Sequence, residues 1–196
     1  MDATPERLIE VATRLFAGLG YDMTSLETIS EAAGVPSSVV LEEVGDKRRL
    51  YLLVLERIYE ANRVKVQKII DEVHSPHEAA HLIADSYLDF FLERPELIAL
   101  WTQRWVADAA DVPDVEDHYL RPLMTMAARK IHDAVPEALG PYPFLGIVLW
   151  SINGFLCTGV LAPEKGMLPA EDPHAQKAFR GFLHTAIDSM LHRPAA

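Results

Sequence analysis

The chain has 196 residues, 49% of them hydrophobic and 24% charged, which is average globular usage and excludes disordered, collagen-like and long coiled-coil compositions. Lys and Arg total 18 against 29 Asp and Glu, a formal net charge of −11, so the chain as a whole is repelled by polyanions and nucleic-acid contact has to overcome that sign. The single cysteine, Cys157, excludes an intramolecular disulfide and a paired-cysteine metal knuckle, and with no basic-then-apolar leader the chain reads as cytoplasmic.

Apolar spacing is helical along the chain and no alternating run flanked by hairpin turns stands out, so the predicted fold is all-α. Thr4 as cap and Pro5 at the first helical position start a helix with one apolar stripe, Leu8, Ile9, Ala12, Leu15 and Phe16, before Gly18 and Gly20 end it. Thr24-Ser25-Leu26-Glu27 predicts a capping box, Thr24 and Glu27 satisfying each other's backbone donors, at the start of a second helix that stops at Gly34. A short third helix fits between Val35 and Val44, and Gly45-Asp46 opens a long amphipathic helix from Lys47 to about Val73. Ser75-Pro76 repeats the cap-plus-proline signal for a helix to about Leu92, and Pro95 starts another through Trp101 and Trp105. After a loop at Asp111 to Asp114, helical spacing resumes from Val115 to Ala134. Pro141 and Pro143 open an uncharged apolar segment, Phe144 to Ala162. Ser151, Asn153, Thr158 and three glycines interrupt it and no positive cluster flanks it, which favours a bundle centre or subunit interface over a membrane span. Pro163 to Pro173 is predicted as a loop and Ala175 to Leu191 as the closing helix.

Leu15-Phe16 followed by Gly20-Tyr21, Thr24-Ser25, Ile29, Ala32-Ala33-Gly34-Val35 and Gly45-Asp46-Lys47 with Leu50 resembles the N-terminal helix-turn-helix of the TetR family of transcriptional regulators. The resemblance implies a three-helix DNA-binding head at residues 1–46, joined by a long helix to a ligand-binding and dimerisation domain at 47–196. It implies a regulator, usually a repressor, controlled by a small apolar molecule. Its partners would be a double-stranded DNA operator, that ligand and a second copy of the chain, with no cofactor. The implied DNA-contact positions are Thr24, Ser25, Pro36, Ser37, Ser38, Val39, Leu41, Glu43 and Lys47. A short helix held by two others suits the roughly 12 Å major groove.

The sequence departs from the family on that surface. The family places a basic residue two positions after the Gly-Val pair and Tyr, His and Phe near the helix end, where this chain has Ser37, Leu41, Glu43 and Val44. Between Gly34 and Asp46 no Lys or Arg faces Glu42, Glu43 and Asp46, and the positive charge of the head is concentrated at Lys47, Arg48 and Arg49. The alternative function is therefore a TetR-like ligand-binding or protein-interaction module with weak or lost DNA binding.

Tyr87, Phe91, Trp101, Trp105, Tyr119, Met124, Trp150, Asn153 and Phe155 are candidates to line an apolar cavity, though each is equally at home in a core. The apolar segment and the closing helix, with Phe179, Phe182, Leu183, Ile187, Met190 and Leu191, are the expected dimer interface. His74, His77 and His81, with Asp85 beyond, have ligand-like spacing. Ser75-Pro76 starts a new helix between the first and the others, so no metal site is expected. Cys157 reads as a small buried hydrophobe. No phosphate-binding glycine loop, G-x-S-x-G or H-E-x-x-H motif appears, so no enzymatic site is expected.

Overall fold

The computed structural model describes residues 4–162 and 166–192. Among them run α1 (Pro5–Leu19), α2 (Leu26–Ala33), α3 (Ser37–Val44), α4 (Lys47–Glu72), α5 (Pro76–Glu93), α6 (Pro95–Trp105), α7 (Arg121–Ile131), α8 (Pro141–Thr158) and α9 (Pro173–Met190). A wide turn at Glu116–Leu120 leads into α7, a tight one at His132–Ala134 follows it, and a hairpin of β1 (Val160–Ala162) and β2 (Gly166–Leu168) separates α8 from α9. Packing divides the chain into two compact units. One holds the described residues up to Glu60 together with Glu96–Tyr119, and the other holds Ala61–Pro95 together with the described residues from Leu120 on. α4 contributes its first half to one unit and its second half to the other.

In the first unit, Thr4 and Pro5 start α1 as expected, the Thr4 hydroxyl accepting the Arg7 N–H. Leu8, Ala12 and Phe16 are buried with Ile29 of α2, Val40 of α3 and Leu50 of α4. The cap of α2 lies one residue beyond the predicted one. Ser25, not Thr24, accepts the Thr28 N–H at 3.1 Å. The Thr24 side chain is buried and its hydroxyl donates to the Gly20 carbonyl at 2.6 Å, so it is taken up in holding the α1–α2 turn.

In the second unit, Ala79, Ala80, Ile83, Ala84 and Leu88 of α5 share a core with Ala127, Ala128 and Ile131 of α7, Phe144, Val148 and Ile152 of α8, and Leu183 and Ile187 of α9. Phe155 and Phe179 stack face to face at 4.1 Å between ring centres. Four expectations from the sequence change here. The apolar helix ends at Thr158 instead of reaching Ala162, because Gly159 turns the chain with a φ of 73° and its Cα is crowded by β2. The predicted loop after α8 carries a two-stranded hairpin, Val160 opposite Leu168 and Leu161 opposite Met167, a small addition to an all-α fold; residues 163–165 of that loop lie outside the described ones. Cys157 is exposed rather than buried. α9 starts at Pro173, two residues early, because Asp172 caps it by accepting the His174 and Ala175 N–H groups. Among the described residues no helix is long and apolar enough to cross a membrane.

A Cβ at Gly159 would lie 1.9 Å from the Leu168 carbonyl oxygen. Gly159→Ala is therefore expected to lower unfolding stability by about 3 kcal/mol. Gly18→Ala, on an open face of α1, should change it by less than ~1 kcal/mol. Chemical denaturation of both variants checks the pair, and equal midpoints would contradict it.

Candidate functional site

The first unit presents a helix-turn-helix. Gly34, in the left-handed region at φ 70°, ends α2 and donates back to its last carbonyls, and Val35-Pro36 leads straight into α3. Val40 and Val44, one turn apart, are the buried anchors of α3. Ser38, Leu41, Glu42 and Glu43 consequently lie on its exposed side, with Pro36 exposed ahead of them and Val39 half-buried. Ser37 is not a free surface hydroxyl. Ser30 spends its proton on the Glu27 carbonyl at 2.8 Å, so in the 2.9 Å Ser30–Ser37 pair it is Ser37 that donates. Ser25 is half-buried as the α2 cap and Thr24 is buried. Of the nine predicted DNA-contact residues, Pro36, Ser38, Leu41 and Glu43 are thus exposed together, and Thr24 is enclosed.

Lys47 is also committed. Its ammonium donates to the Tyr21 carbonyl at 3.1 Å and lies 4.1 Å from the centre of the Tyr21 ring, a cation–π contact. The exposed cations of the α4 start are Arg48 and Arg49, behind Asp46, which caps α4 by accepting the Arg49 N–H at 2.8 Å. The same Tyr21 turn is gripped from its other side by Asp108, whose carboxylate accepts the Tyr21 N–H at 2.7 Å and the Asp22 N–H at 2.9 Å. Gly20 stands at φ 85° beside that carboxylate, where a Cβ would lie 3.0 Å from an Asp108 oxygen. Burial, then the neighbouring Asp111 and Asp46, push the Tyr21 hydroxyl up, so it stays neutral. The loop that carries Asp108 holds Ala107 and Ala109 at positive φ. Arg104 organises it, pairing with both Glu116 oxygens at 2.8 and 3.1 Å and donating to the Ala109 carbonyl.

The second unit holds a partly open apolar cavity of about 70 Å³. Asn62 and Val66 of α4 line it with Ile83, Ala84, Ser86 and Tyr87 of α5, Leu123, Met124 and Ala127 of α7, Leu145, Val148, Leu149 and Ile152 of α8, and Leu120. No lining side chain is charged. Tyr87 donates its hydroxyl to Asn153 Oδ1 at 3.1 Å, leaving the buried Asn153 Nδ2 without a partner. Burial pushes the Tyr87 hydroxyl up, so it acts as a neutral donor.

Of the nine residues expected around a cavity, Tyr87 and Met124 line this one and Asn153 joins it through Tyr87. Phe91 packs edge-on against Tyr87, Phe155 stacks on Phe179, and Trp150 is 69% exposed on α8. Trp101, Trp105 and Tyr119 belong to the first unit. Asn62, which aromatic-first reasoning misses, interrupts the apolar α4 series Ile58, Asn62, Val66, Ile69 at helical spacing, and that interruption is its signal.

His77 and His81 are engaged within the second unit, His77 Nε2 with the His192 carbonyl. His81 Nε2 meets Asp188 at 2.9 Å, His184 Nε2 meets Asp85 at 3.0 Å, and Arg180 also reaches Asp85 and Asp89. Among the described residues no three His, Cys, Asp or Glu side chains are arranged to hold a metal ion.

No family model matches the chain. The HTH-type transcriptional repressor NicS of Pseudomonas putida is 23% identical over 99 residues, 50% of this chain and 47% of that protein, so the match spans about half of each. Solved structures cover nearly all of the chain. A ketosteroid transcriptional regulator of Mycobacterium tuberculosis superposes with a TM-score of 0.68 at 14% identity over 98% of this chain and 97% of that one. The TetR-family regulator PfmR of Thermus thermophilus does so at 0.67 and 19% identity over 98% and 100%. The fatty acid degradation regulator FadR of Bacillus halodurans does so at 0.66 and 13% over 95% of each. The chain therefore has the all-α fold of TetR-family regulators.

The Arg104–Glu116 pair has a measurable pH signature. Hydrogen bonding from Arg104 holds the Glu116 carboxyl below its ordinary value of 4.5. A depressed carboxylate stabilises the fold above its unfolded value and loses that contribution as pH falls through the folded one. Glu116→Gln is expected to lower stability at neutral pH by less than ~1 kcal/mol, because the carboxylate is partly exposed. The variant should also show a shallower loss of stability below pH 4.5. Denaturant midpoints across that range give the answer, and parallel curves for the two proteins would contradict it.

Proposed function

We propose that the chain is a dimeric, DNA-binding transcriptional regulator of the TetR type, a repressor acting in the cytoplasm and controlled by a small apolar molecule rather than an enzyme. The observation that carries this is a single helix with two ends. The start of α4 grips the Tyr21 turn of the helix-turn-helix through Lys47, and its later residues Asn62 and Val66 line an apolar cavity. The neighbours named for ketosteroids and fatty acids support an apolar ligand. The DNA-binding domain is proposed as residues 1–46, and the ligand-binding and dimerisation domain as residues 47–196, whose first turn would add phosphate contacts. On DNA, α3 would enter the major groove with Pro36, Ser38, Leu41 and Glu43 outward, and Arg48 and Arg49 would meet phosphates.

The cavity's 70 Å³ is far below the roughly 300–1,000 Å³ of ordinary ligand sites. A ligand therefore enters by moving the helices around it, α4 among them, and that displacement reaches the start of α4. A TetR-like module with weak or lost DNA binding is the alternative favoured by Leu41, Glu42 and Glu43, which give the exposed side of α3 two carboxylates and no cation.

Selection of genomic fragments with the purified protein decides between the two. Enrichment of a discrete site whose affinity falls with salt supports the regulator, and no enrichment near ~50 mM salt removes it. Where a site is found, Arg48→Ala is expected to reduce the slope of log affinity against log salt by about 0.9 for each phosphate that the variant leaves unneutralised. Glu43→Gln should raise non-specific affinity without changing which site is preferred.

The second copy is proposed to cover α8 and α9, where Trp150 is 69% and Phe182 61% exposed and Gly154 and Gly181 leave open space for close backbone approach. Trp150→Asp with Phe182→Asp is expected to convert a dimer to a monomer by sedimentation while helical content is kept. A monomeric native protein, or a dimer that survives both changes, would refute this interface.

A further inference from the structure

α3 carries no Lys, Arg, Asn, Gln or His, so none of its side chains can make the bidentate contacts that read guanine or adenine. The direction of each remaining side chain follows from the two buried anchors, Val40 and Val44. At about 100° per residue, Glu42 projects about 180° from the mid-direction of those anchors, Ser38 about 140°, and Leu41 and Glu43 about 80° to opposite sides. All four are exposed, and among the described residues the Glu42 carboxylate has no hydrogen bond or ion pair. Gly34 sets the entry to the helix and the Ser30–Ser37 pair pins its first turn, so this register is held.

A helix with its side chains is about 10–12 Å across and the major groove about 12 Å wide. A helix lying in the groove therefore turns its outermost line to the base edges and its flanks to the phosphate walls. Under the proposed function α3 is that helix, and the deduction rests on that reading. Glu42 then faces the floor, one turn beyond Ser38, and Glu43 faces a wall. A carboxylate only accepts. On that floor guanine presents two acceptors, thymine an acceptor and a methyl group, and adenine an acceptor beside its amino donor, while cytosine presents its N4 donor and no acceptor of its own. Ser38 pairs with donor or acceptor alike and selects nothing.

We infer that Glu42 is the specificity-determining residue of α3, its carboxylate accepting from cytosine N4, so that each operator half-site carries cytosine at one fixed position. The two carboxylates of α3 thus divide in role. Glu42 reads a base, and Glu43 only repels the backbone. A wrong base at the Glu42 position sets acceptor against acceptor in a desolvated contact, which is where discrimination is strongest.

The test uses the full chain and the site that it selects from a random duplex library. One position in each half-site is expected to be cytosine, and changing that pair to any other is expected to weaken binding at least ~5-fold. Glu42→Gln is expected to move the preference at that position to adenine, since an amide donates to N7 and accepts from N6. Glu43→Gln should leave it at cytosine. Replacing that cytosine with 2-pyrimidinone, which lacks the N4 amino group, should weaken the native protein about 5-fold more than the same replacement at a cytosine outside the half-sites.

A selected site with no fixed cytosine overturns the inference and leaves the regulator standing, and so does a cytosine preference that survives Glu42→Gln. Selection of no site removes the regulator and the inference with it. The 2-pyrimidinone comparison on the native protein decides the matter even if the Glu42 variant fails to fold: equal losses at the two cytosines overturn the inference.

Discussion

Everything the head can present depends on one short turn. Tyr21 and Asp22 give their backbone N–H groups to the Asp108 carboxylate, and the Tyr21 carbonyl and ring receive the Lys47 ammonium. The turn joins α1 to α2, so its position sets where α2 points, and α2 in turn holds α3 through the Gly34 reversal and the Ser30–Ser37 pair. Beneath it, Phe16, Tyr21 and Tyr51 form an aromatic cluster with ring centres 4.8 to 5.8 Å apart. A carboxylate receiving two amides and an ammonium against both a carbonyl and a ring are charge-assisted contacts, each stronger than a neutral bond. The loop residues that deliver Asp108 adopt left-handed conformations costing about 1–2 kcal/mol each. Arg104 offsets this by bridging Glu116 and the Ala109 carbonyl.

This arrangement changes the meaning of the positive charge at the start of α4. Lys47 is the residue a TetR-like head would offer to phosphate, and here it is engaged within the fold. Arg48 and Arg49 are left as the exposed cations beside an α3 surface that carries Glu42 and Glu43. The net charge of −11 is therefore not diluted by a basic binding face. Under the proposed function, so few cations per head would leave counterion release little of the affinity to supply. A dimer that still binds must draw on backbone amides at helix starts, on Ser38 and on apolar contact from Leu41 with thymine methyl groups.

Helix starts are legible in the sequence because their chemistry is local: Thr4-Pro5, Ser75-Pro76 and the Gly34 stop each act within four residues of themselves. The α2 cap falls one residue later than its sequence signal because Thr24 and Ser25 are equally able caps. Only the tertiary bond from Thr24 to the Gly20 carbonyl decides between them. The hairpin after α8 is hidden because three-residue strands carry no periodicity, and Gly159 gains its meaning from β2, seven residues on. Asp108 lies between the predicted helix through Trp105 and the loop at Asp111 to Asp114 and has no pattern, since its partners are more than eighty residues away. Around the cavity, choosing aromatic residues by size selects side chains that the structure spends on stacking, such as Phe155, or leaves on the surface, such as Trp150. The cavity walls are instead the aliphatic residues that look like ordinary core in any helical sequence.

The smallness of the cavity bears directly on control under the proposed function. A ligand shifts a two-state equilibrium only by the difference in its affinity for the two states, and moving the balance from 1:99 to 99:1 takes about 5.5 kcal/mol. Burying about 200 Å² of apolar ligand surface yields roughly 5 kcal/mol at 25 cal/mol per Å². In a cavity present in both states most of that energy would be common to them and would shift nothing. A space of 70 Å³ holds too little of such a molecule for the closed form to share in it, so nearly all of the burial falls to the opened form. Under the proposed function, poor accommodation in the resting state is thus what would let an apolar ligand act as a switch. Reciprocity follows: if operator DNA favours the closed form, it weakens the ligand by the same factor by which the ligand weakens it.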